Sequence, residues 1–289
     1  MIIITGATGS LGARIVEHVL ARVPAGRVGV SVRDPERARE LADRGVRVRR
    51  GDFSEPATLD RAFEGADRVL VVSPDVLGPD GVARSVAAVD AAYRAGAERV
   101  LYTGHQAAAP DSLFAPARDH AAVEARLAST GRAWTSLRNG YYATSLLFHL
   151  GDAASTGELL APADGPVAWT THDDLAEAAA ALLVGTDVAD GPTPPLTASE
   201  AVDLEQVART LSELTGRTVR RVVLDDEDFV ARRVAAGVPE AMARALLGSY
   251  LAARRGEFAT ADPFLATLLG RPATPVRVTL QGMIGTGTA

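Results

Sequence analysis

The sequence predicts an α/β protein, a doubly wound parallel sheet with a smaller C-terminal α/β lobe. Three observations predict it. The chain opens on a continuous β-branched run, Ile2-Ile3-Ile4, the composition of a strand buried on both faces. Gly6, Gly9 and Gly12 follow at once and lead into a helical pattern. From there strand-like and helix-like segments alternate as far as Tyr142, as parallel strands joined by crossover helices do.

Taken in order, Ile2 to Ile4 is the first strand. Ala13 to Arg22 reads as a helix with Ile15, Val16, Val19 and Leu20 on one side. The glycines therefore sit at a strand-to-helix turn, where a dinucleotide pyrophosphate binds. Gly6 permits the tight turn, Gly9 lets phosphates approach the backbone, and Gly12 lets the helix pack close to the strand. The spacing is Gly-x-x-Gly-x-x-Gly, so it is the strand-turn-helix context that points to a cofactor. Arg27 to Val32 is the second strand, ending at Arg33-Asp34-Pro35, and Glu36 to Arg44 a helix. Val46 to Val48 is the third, leading into Gly51-Asp52-Phe53, and Ala57 to Glu64 a short helix. Arg68 to Val72 is the fourth, ending at Ser73-Pro74, and Val82 to Arg94 a helix. Arg99 to Thr103 is the fifth and Pro116 to Ser129 the next helix. Trp134 to Leu137 is the sixth strand, ending at Arg138-Asn139-Gly140-Tyr141-Tyr142. Ligands of such sheets bind beyond the C-terminal strand ends, so these strand-end residues, Pro74 and Gly104 among them, are read as site lining.

After Tyr142 the pattern loosens. Ala168-Trp169-Thr170 is a candidate short strand, Asp173 to Leu183 an amphipathic helix, and Thr186 to Pro195 a loop with three prolines. Leu204 to Thr215 is a helix ended by Gly216, and Val219 to Leu224 alternates like a strand. Pro239 to Arg255 and Pro263 to Leu269 are helical, and Gly282 to Ala289 look frayed. The expected organisation is an NAD(P)-binding Rossmann domain over 1–142, with 165–195 packing back on it. Residues 143–164 and 196–289 then form a substrate-binding lobe.

The composition narrows the function. The 289 residues carry a net charge of −6, against phosphate-driven nucleic-acid binding. Cys is absent, which removes disulfides, thiolate nucleophiles and Cys-ligated metals. Lys is absent too, so Schiff-base chemistry and any Lys-assisted proton relay are impossible. No apolar run approaches a membrane span, and the chain starts on its first strand, so a cytoplasmic monomer or homodimer is expected.

The residue after the second strand separates NAD from NADP. An acidic side chain there binds the ribose 2′-hydroxyl, whereas an Arg suits a 2′-phosphate. Arg33 holds that place, and its planar fork matches a phosphate. Asp34 is adjacent and is the alternative, an NAD ribose ligand. At the end of the third strand Asp52 is placed to accept the adenine amino group. Phe53 either packs on the adenine or belongs to the core.

With these residues in place, the chain resembles the NmrA-like atypical short-chain dehydrogenases. Within them it is similar to the group of NADPH:quinone oxidoreductases type 2 and triphenylmethane reductases. The matching stretches are ITGATGSLG from Ile4, VRDPERARELADRGVRVRRGDF from Val32, LYTGH from Leu101, ARDHAAVEARL from Ala117 and SLRNGYYA from Ser136. GRTVRRVVLDDEDF and AAGVPEAMA match in the C-terminal lobe. The resemblance implies that Gly6, Thr8, Gly9, Ser10, Leu11, Arg33, Asp52, Ser73, Thr103 and Asn139 line an NADPH site. It implies that Tyr141, Tyr142, His105 and the lobe line a substrate pocket. Members related this closely are assigned to quinones, dyes, azo compounds or unknown molecules, so the resemblance does not specify the substrate. The chain departs from some members at His105, where others carry an aromatic residue or leucine, and at Ser73-Pro74-Asp75. Both departures bear on the substrate.

The usual short-chain dehydrogenase mechanism uses Tyr-x-x-x-Lys, which a chain without Lys cannot have. An acceptor needing little acid catalysis is then expected: a quinone, whose reduced anion is stabilised, or a cationic dye. The protein's part would be positioning and water exclusion, with neither flavin nor metal. His120 and Glu124 lie one helical turn apart on a shared face, and His120 is a candidate proton donor. His105, at a strand end, is a candidate substrate contact or acid. Tyr102 is read as core, and Tyr141 and Tyr142 as apolar walls for a flat aromatic substrate. His172-Asp173-Asp174 precedes a helix and is read as capping, not as a metal site. Two other functions fit the residues. One is a non-catalytic NADP(H)-sensing regulator; the other is a biosynthetic ketone or imine reductase.

Overall fold

The opening apolar run becomes β1 (Ile2–Thr5). Ile3 and Ile4 are both fully buried on opposite faces, as a strand covered by helices on each side requires. α1 (Ser10–Leu20) turns Ile15, Val16 and Val19 inward. β2 (Val28–Val32) is buried throughout. The helix expected over Glu36 to Arg44 is split into a 3-10 turn, Pro35–Ala38, and α2 (Arg39–Asp43). Then come β3 (Arg47–Arg50), α3 (Ala57–Phe63), β4 (Arg68–Val71) and α4 (Pro79–Arg94). β5 (Arg99–His105), α5 (Ala115–Ser129) and β6 (Ala133–Asn139) follow. β5 and β6 pair in parallel from Arg99↔Ala133 to His105↔Asn139, so both strands run further than expected and end on site residues. The remaining elements are α6 (Leu146–Leu150), α7 (Ala153–Thr156), β7 (Glu158–Pro162), α8 (His172–Val184), β8 (Gly191–Pro192), α9 (Leu204–Thr215) and β9 (Arg220–Leu224). α10 (Asp226–Ala235), α11 (Glu240–Arg254), α12 (Phe264–Leu269) and α13 (Val276–Gly285) close the chain. The computed structural model describes residues 1–285.

Contacts divide the chain into two units. The first comprises 1–110, 116–139 and 172–194; the second comprises 111–115, 140–171 and everything from 195 onward. The first holds a seven-stranded parallel sheet in the order β3-β2-β1-β4-β5-β6-β8. The strand order reverses between β1 and β4, the place where such sheets bind ligands beyond the strand ends. One face packs Ile3, Val69, Val71, Val100 and Tyr102 against Leu59, Phe63, Val89, Val123 and Leu127 from the helices. Elsewhere in this unit α8 lies along α1. The second unit has a two-stranded parallel sheet, β7 with β9. Its α9 carries a reciprocal capping box at Asp203 and Gln206 and ends at Gly216 in the left-handed region.

Several expectations are corrected. Ala168 to Thr170 does not form a strand: Val167 bridges Val202, Thr170 bridges Tyr142, and the Trp169 ring N–H donates to the Val202 carbonyl. The Thr186 to Pro195 loop contains β8, whose Pro192 is tolerated because β8 is an edge strand. α8 begins at His172, so Asp173 and Asp174 sit inside its first turn instead of at the cap, where they still complement the helix dipole. Gly282 to Gly285 continue α13 and are not frayed; residues 286–289 lie outside the described residues. No helix among the described residues is long and apolar enough to cross a membrane.

The packing makes one prediction. Phe63 is fully buried in the main core cluster. Phe63→Ala should lower the unfolding free energy by about 3–5 kcal/mol in urea titration; a loss below about 1 kcal/mol would contradict this packing.

Candidate active site

The site is built on the C-terminal ends of the parallel strands in the first unit. Side chains lace those ends together. The Val72 N–H donates to Thr5 Oγ1 at 2.8 Å, and the Ser73 N–H donates to Thr103 Oγ1 at 2.9 Å. Past β1 the chain turns at Gly6, whose φ of +63° disfavours any side chain. A Cβ on Gly12 would lie 2.1 Å from the Gly6 carbonyl oxygen, so only glycine lets α1 start against this turn. α1 has Gly9 as its N-cap, with no side-chain cap and no acidic residue in its first turn. Its leading amides are thus left for an anion, as a diphosphate site requires.

Arg33 follows β2, is exposed, and makes no hydrogen bond or ion pair among the described residues. Its rival Asp34 is committed: its carboxylate caps the next turn by accepting the Glu36 N–H at 3.1 Å. Asp52 accepts the Ser54 hydroxyl and N–H on one oxygen. Those bonds, with Arg33 and Arg50 nearby, hold its carboxyl below the usual range. Phe53 packs against the core cluster.

Ser73, Pro74, Tyr102, Asp119, His120 and Val123 help line a small cavity beside the ends of β4 and β5. Tyr102 and His120 meet there, phenol oxygen to Nδ1, at 2.7 Å. The His105 ring lies nearly parallel to that of His120, with centroids 6.1 Å apart. Burial pushes His120 down to about 4. Burial and the neighbouring His120 push His105 down to about 3. Both imidazoles are therefore neutral at pH 7. Asp119 accepts the Gly78 N–H at 2.7 Å, tying the segment after β4 to α5. Glu124 is not the partner of His120; it forms a two-pronged pair with Arg138, at 3.1 and 2.7 Å. Gly104 makes room here, because a Cβ on it would lie 2.3 Å from Ser136 Oγ. Asn139 is 2% exposed, and its Oδ1 has no hydrogen-bond partner among the described residues. A buried orphan acceptor is what an amide N–H of a ligand would satisfy.

Gly6, Thr8, Gly9, Ser10, Leu11, Gly12, Arg33, Asp52, Phe53, Ser73, Pro74, Thr103, Gly104, His105, His120 and Asn139 all belong to the first unit. Leu11 and Thr103 are buried: Leu11 has only its backbone to offer, and the Thr103 hydroxyl is engaged with Ser73. Tyr141 and Tyr142 belong to the second unit. Tyr141 sits in an aromatic cluster with Phe114, Trp169 and Phe258, and burial pushes its phenol up to about 12. Among the described residues no group of three or more His, Asp or Glu could hold a metal ion.

The sequence pattern of the NmrA-like family matches residues 1–268. The chain belongs to the NmrA-like family. It is 34% identical over 278 residues to quinone oxidoreductase 2 of Escherichia coli (strain K12), covering 95% of each chain. The crystal structure of an Escherichia coli NADPH-dependent quinone oxidoreductase complexed with NADPH matches with a TM-score of 0.92 at 31% identity. That match covers 98% of this chain and 100% of the other. Citrobacter sp. triphenylmethane reductase complexed with NADP(H) matches with a TM-score of 0.88 at 32% identity, covering 98% and 99%.

In this NmrA-like chain two site residues escape the sequence reading. Tyr102 looks like core, and it is 2% exposed, yet its hydroxyl reaches His120. Asp119 carries no signal in the sequence and holds the segment after β4 through the Gly78 N–H. The available signal was that a buried tyrosine needs a hydrogen-bond partner.

The site also predicts a pH dependence. An imidazole whose folded pKa is near 4, against 6.5 unperturbed, is protonated first in the unfolded chain. Stability is then full above about pH 6.5 and is lost as pH falls toward 4. Urea midpoints should fall over that window, and less steeply in His120→Gln. An unchanged slope in the variant would show that the His120 pKa is not depressed.

Proposed function

We propose that this NADPH-dependent oxidoreductase passes hydride directly to a quinone or a similar flat conjugated acceptor. NADPH supplies the hydride. The free amides at the start of α1 hold the diphosphate, Arg33 the 2′-phosphate, and Asp52 the adenine edge. The orphan Asn139 Oδ1 suits the carboxamide of the nicotinamide. His105 is assigned to acceptor contact.

One observation carries the choice of acceptor. The strand-end site holds no ammonium to acidify a phenol for plain carbonyl reduction: the chain has no Lys, both imidazoles are neutral, and Glu124 is matched by Arg138. Hydride transfer to a quinone gives a resonance-stabilised hydroquinone anion. A cationic dye becomes neutral on taking hydride. Neither needs a strong acid, so positioning and water exclusion suffice. The names of the quinone oxidoreductase and dye reductase relatives support the same class.

NADPH oxidation followed by absorbance, with benzoquinones, naphthoquinones and a triphenylmethane dye, tests the proposal. Turnover of at least one acceptor is expected, with NADPH preferred over NADH. Tight NADPH binding without turnover of any acceptor would favour a sensor instead. Arg33→Ala should weaken NADPH binding roughly 10–100-fold, the worth of a charged hydrogen bond, and spare NADH. Equal loss for both cofactors would remove Arg33 from the 2′-phosphate.

A further inference from the structure

We propose that Tyr102 and His120 form a proton relay that protonates the reduced acceptor, which extends the enzyme to acceptors whose reduced forms are strongly basic. The proposal rests on the hydride-transfer reading above. Tyr102 comes from β5 and His120 from α5, and they meet at 2.7 Å on the wall of the cavity that also contains Ser73, Pro74 and Asp119. His120 Nε2 has no hydrogen-bond partner among the described residues, while Nδ1 is taken by Tyr102. A phenol is the better donor and a neutral imidazole the better acceptor. The proton on His120 is thereby assigned to Nε2, the nitrogen available to a ligand.

The arrangement solves a problem that neither residue solves alone. His120 is neutral at pH 7, because burial opposes its charged form. The donor is therefore the neutral Nε2–H. A neutral imidazole cannot simply lose that proton, because imidazolate is far too basic. Tyr102 removes the obstacle by giving its phenolic proton to Nδ1 as Nε2–H leaves. The balance is simple. Hydride adds to the acceptor and makes an anion, and the anion takes the Nε2 proton. The Tyr102 proton moves to Nδ1, leaving a tyrosinate beside a neutral imidazole with its tautomer exchanged. The pair resets when Nε2 takes a proton from solvent as Nδ1 returns its proton to the tyrosinate.

Acceptors differ in how much they need this. A cationic triphenylmethane dye takes hydride and no proton. A quinone gives a stabilised anion that solvent can protonate. An azo compound gives a nitrogen anion that must be protonated as it forms. The test uses the full chain, Tyr102→Phe and His120→Gln, with turnover measured at saturating NADPH on one acceptor of each kind. NADPH affinity serves as the check on folding and placement. The relay requires azo turnover to fall about 100-fold in both variants, within the range of general acid catalysis. Quinone turnover should fall less than about tenfold, and dye turnover should fall least. A solvent deuterium isotope effect should accompany the azo reaction and be absent with the dye. Equal losses on all three acceptors would mean that the pair only positions the site, and no loss on any would make it structural. A wild type that reduces the dye but no proton-consuming acceptor also overturns the relay. A wild type inert toward all three acceptors would instead overturn the hydride-transfer reading, and the relay with it.

Discussion

The constraint on which the first unit depends is the contact between the turn at Gly6 and the start of α1 at Gly12. A methyl group at Gly12 would lie 2.1 Å from the Gly6 carbonyl, well inside van der Waals contact. The helix can start flush against the turn only because two backbones approach without side chains between them. That contact sets the direction of α1, and α8 in turn packs along α1. It also aims the uncapped amides of α1 at the point where the strand order reverses between β1 and β4. Fold and anion site are the same contact seen from two sides. A substitution there would disturb both.

From that point the site is organised by charge, with its two ends opposed. At the β2–β3 end Arg33 stands exposed and uncommitted, while Asp34 is held by its cap. That end suits the 2′-phosphate proposed for it. At the β4–β6 end Glu124 faces Arg138 and both imidazoles are neutral, while the Asp119 carboxylate accepts the Gly78 N–H. Binding affinity can come from the first end.

Much of the first unit was legible because its signals are local. Ile2 to Ile4, the glycine turn and the strand-helix alternation each occupy a few consecutive residues and have one structural solution. Leu204–Thr215 was equally clear, since Gly216 marks its end. What stayed hidden depends on partners distant in the chain. β7 is a five-residue run whose ladder partner among the described residues, β9, lies some sixty residues later. β8 is two residues long and exists because β6 pairs with it. α10 was missed although Asp225 caps it, acids fill its first turn and Arg232 and Arg233 close its last. Its weak apolar stripe outweighed those caps. In the site, spacing along α5 put Glu124 beside His120, but each has a partner on the sheet, Arg138 and Tyr102. Helix periodicity says which residues share a face; it does not say what the face meets.

The missing lysine gives the Tyr102–His120 contact its meaning. In a Tyr-x-x-x-Lys site the ammonium lowers the phenol's pKa, and the phenol gives its proton directly. A neutral imidazole cannot lower a phenol's pKa in that way. It can pass the phenol's proton on, because one ring nitrogen gains a proton as the other releases one. The proton then travels without a fixed positive charge beside the hydride path. A lysine in that place would repel a cationic dye and favour anions. Passing a proton through a neutral ring trades acid strength for indifference to acceptor charge. That trade suits acceptors that are already electron-poor, since hydride transfer to them is favourable before any proton arrives.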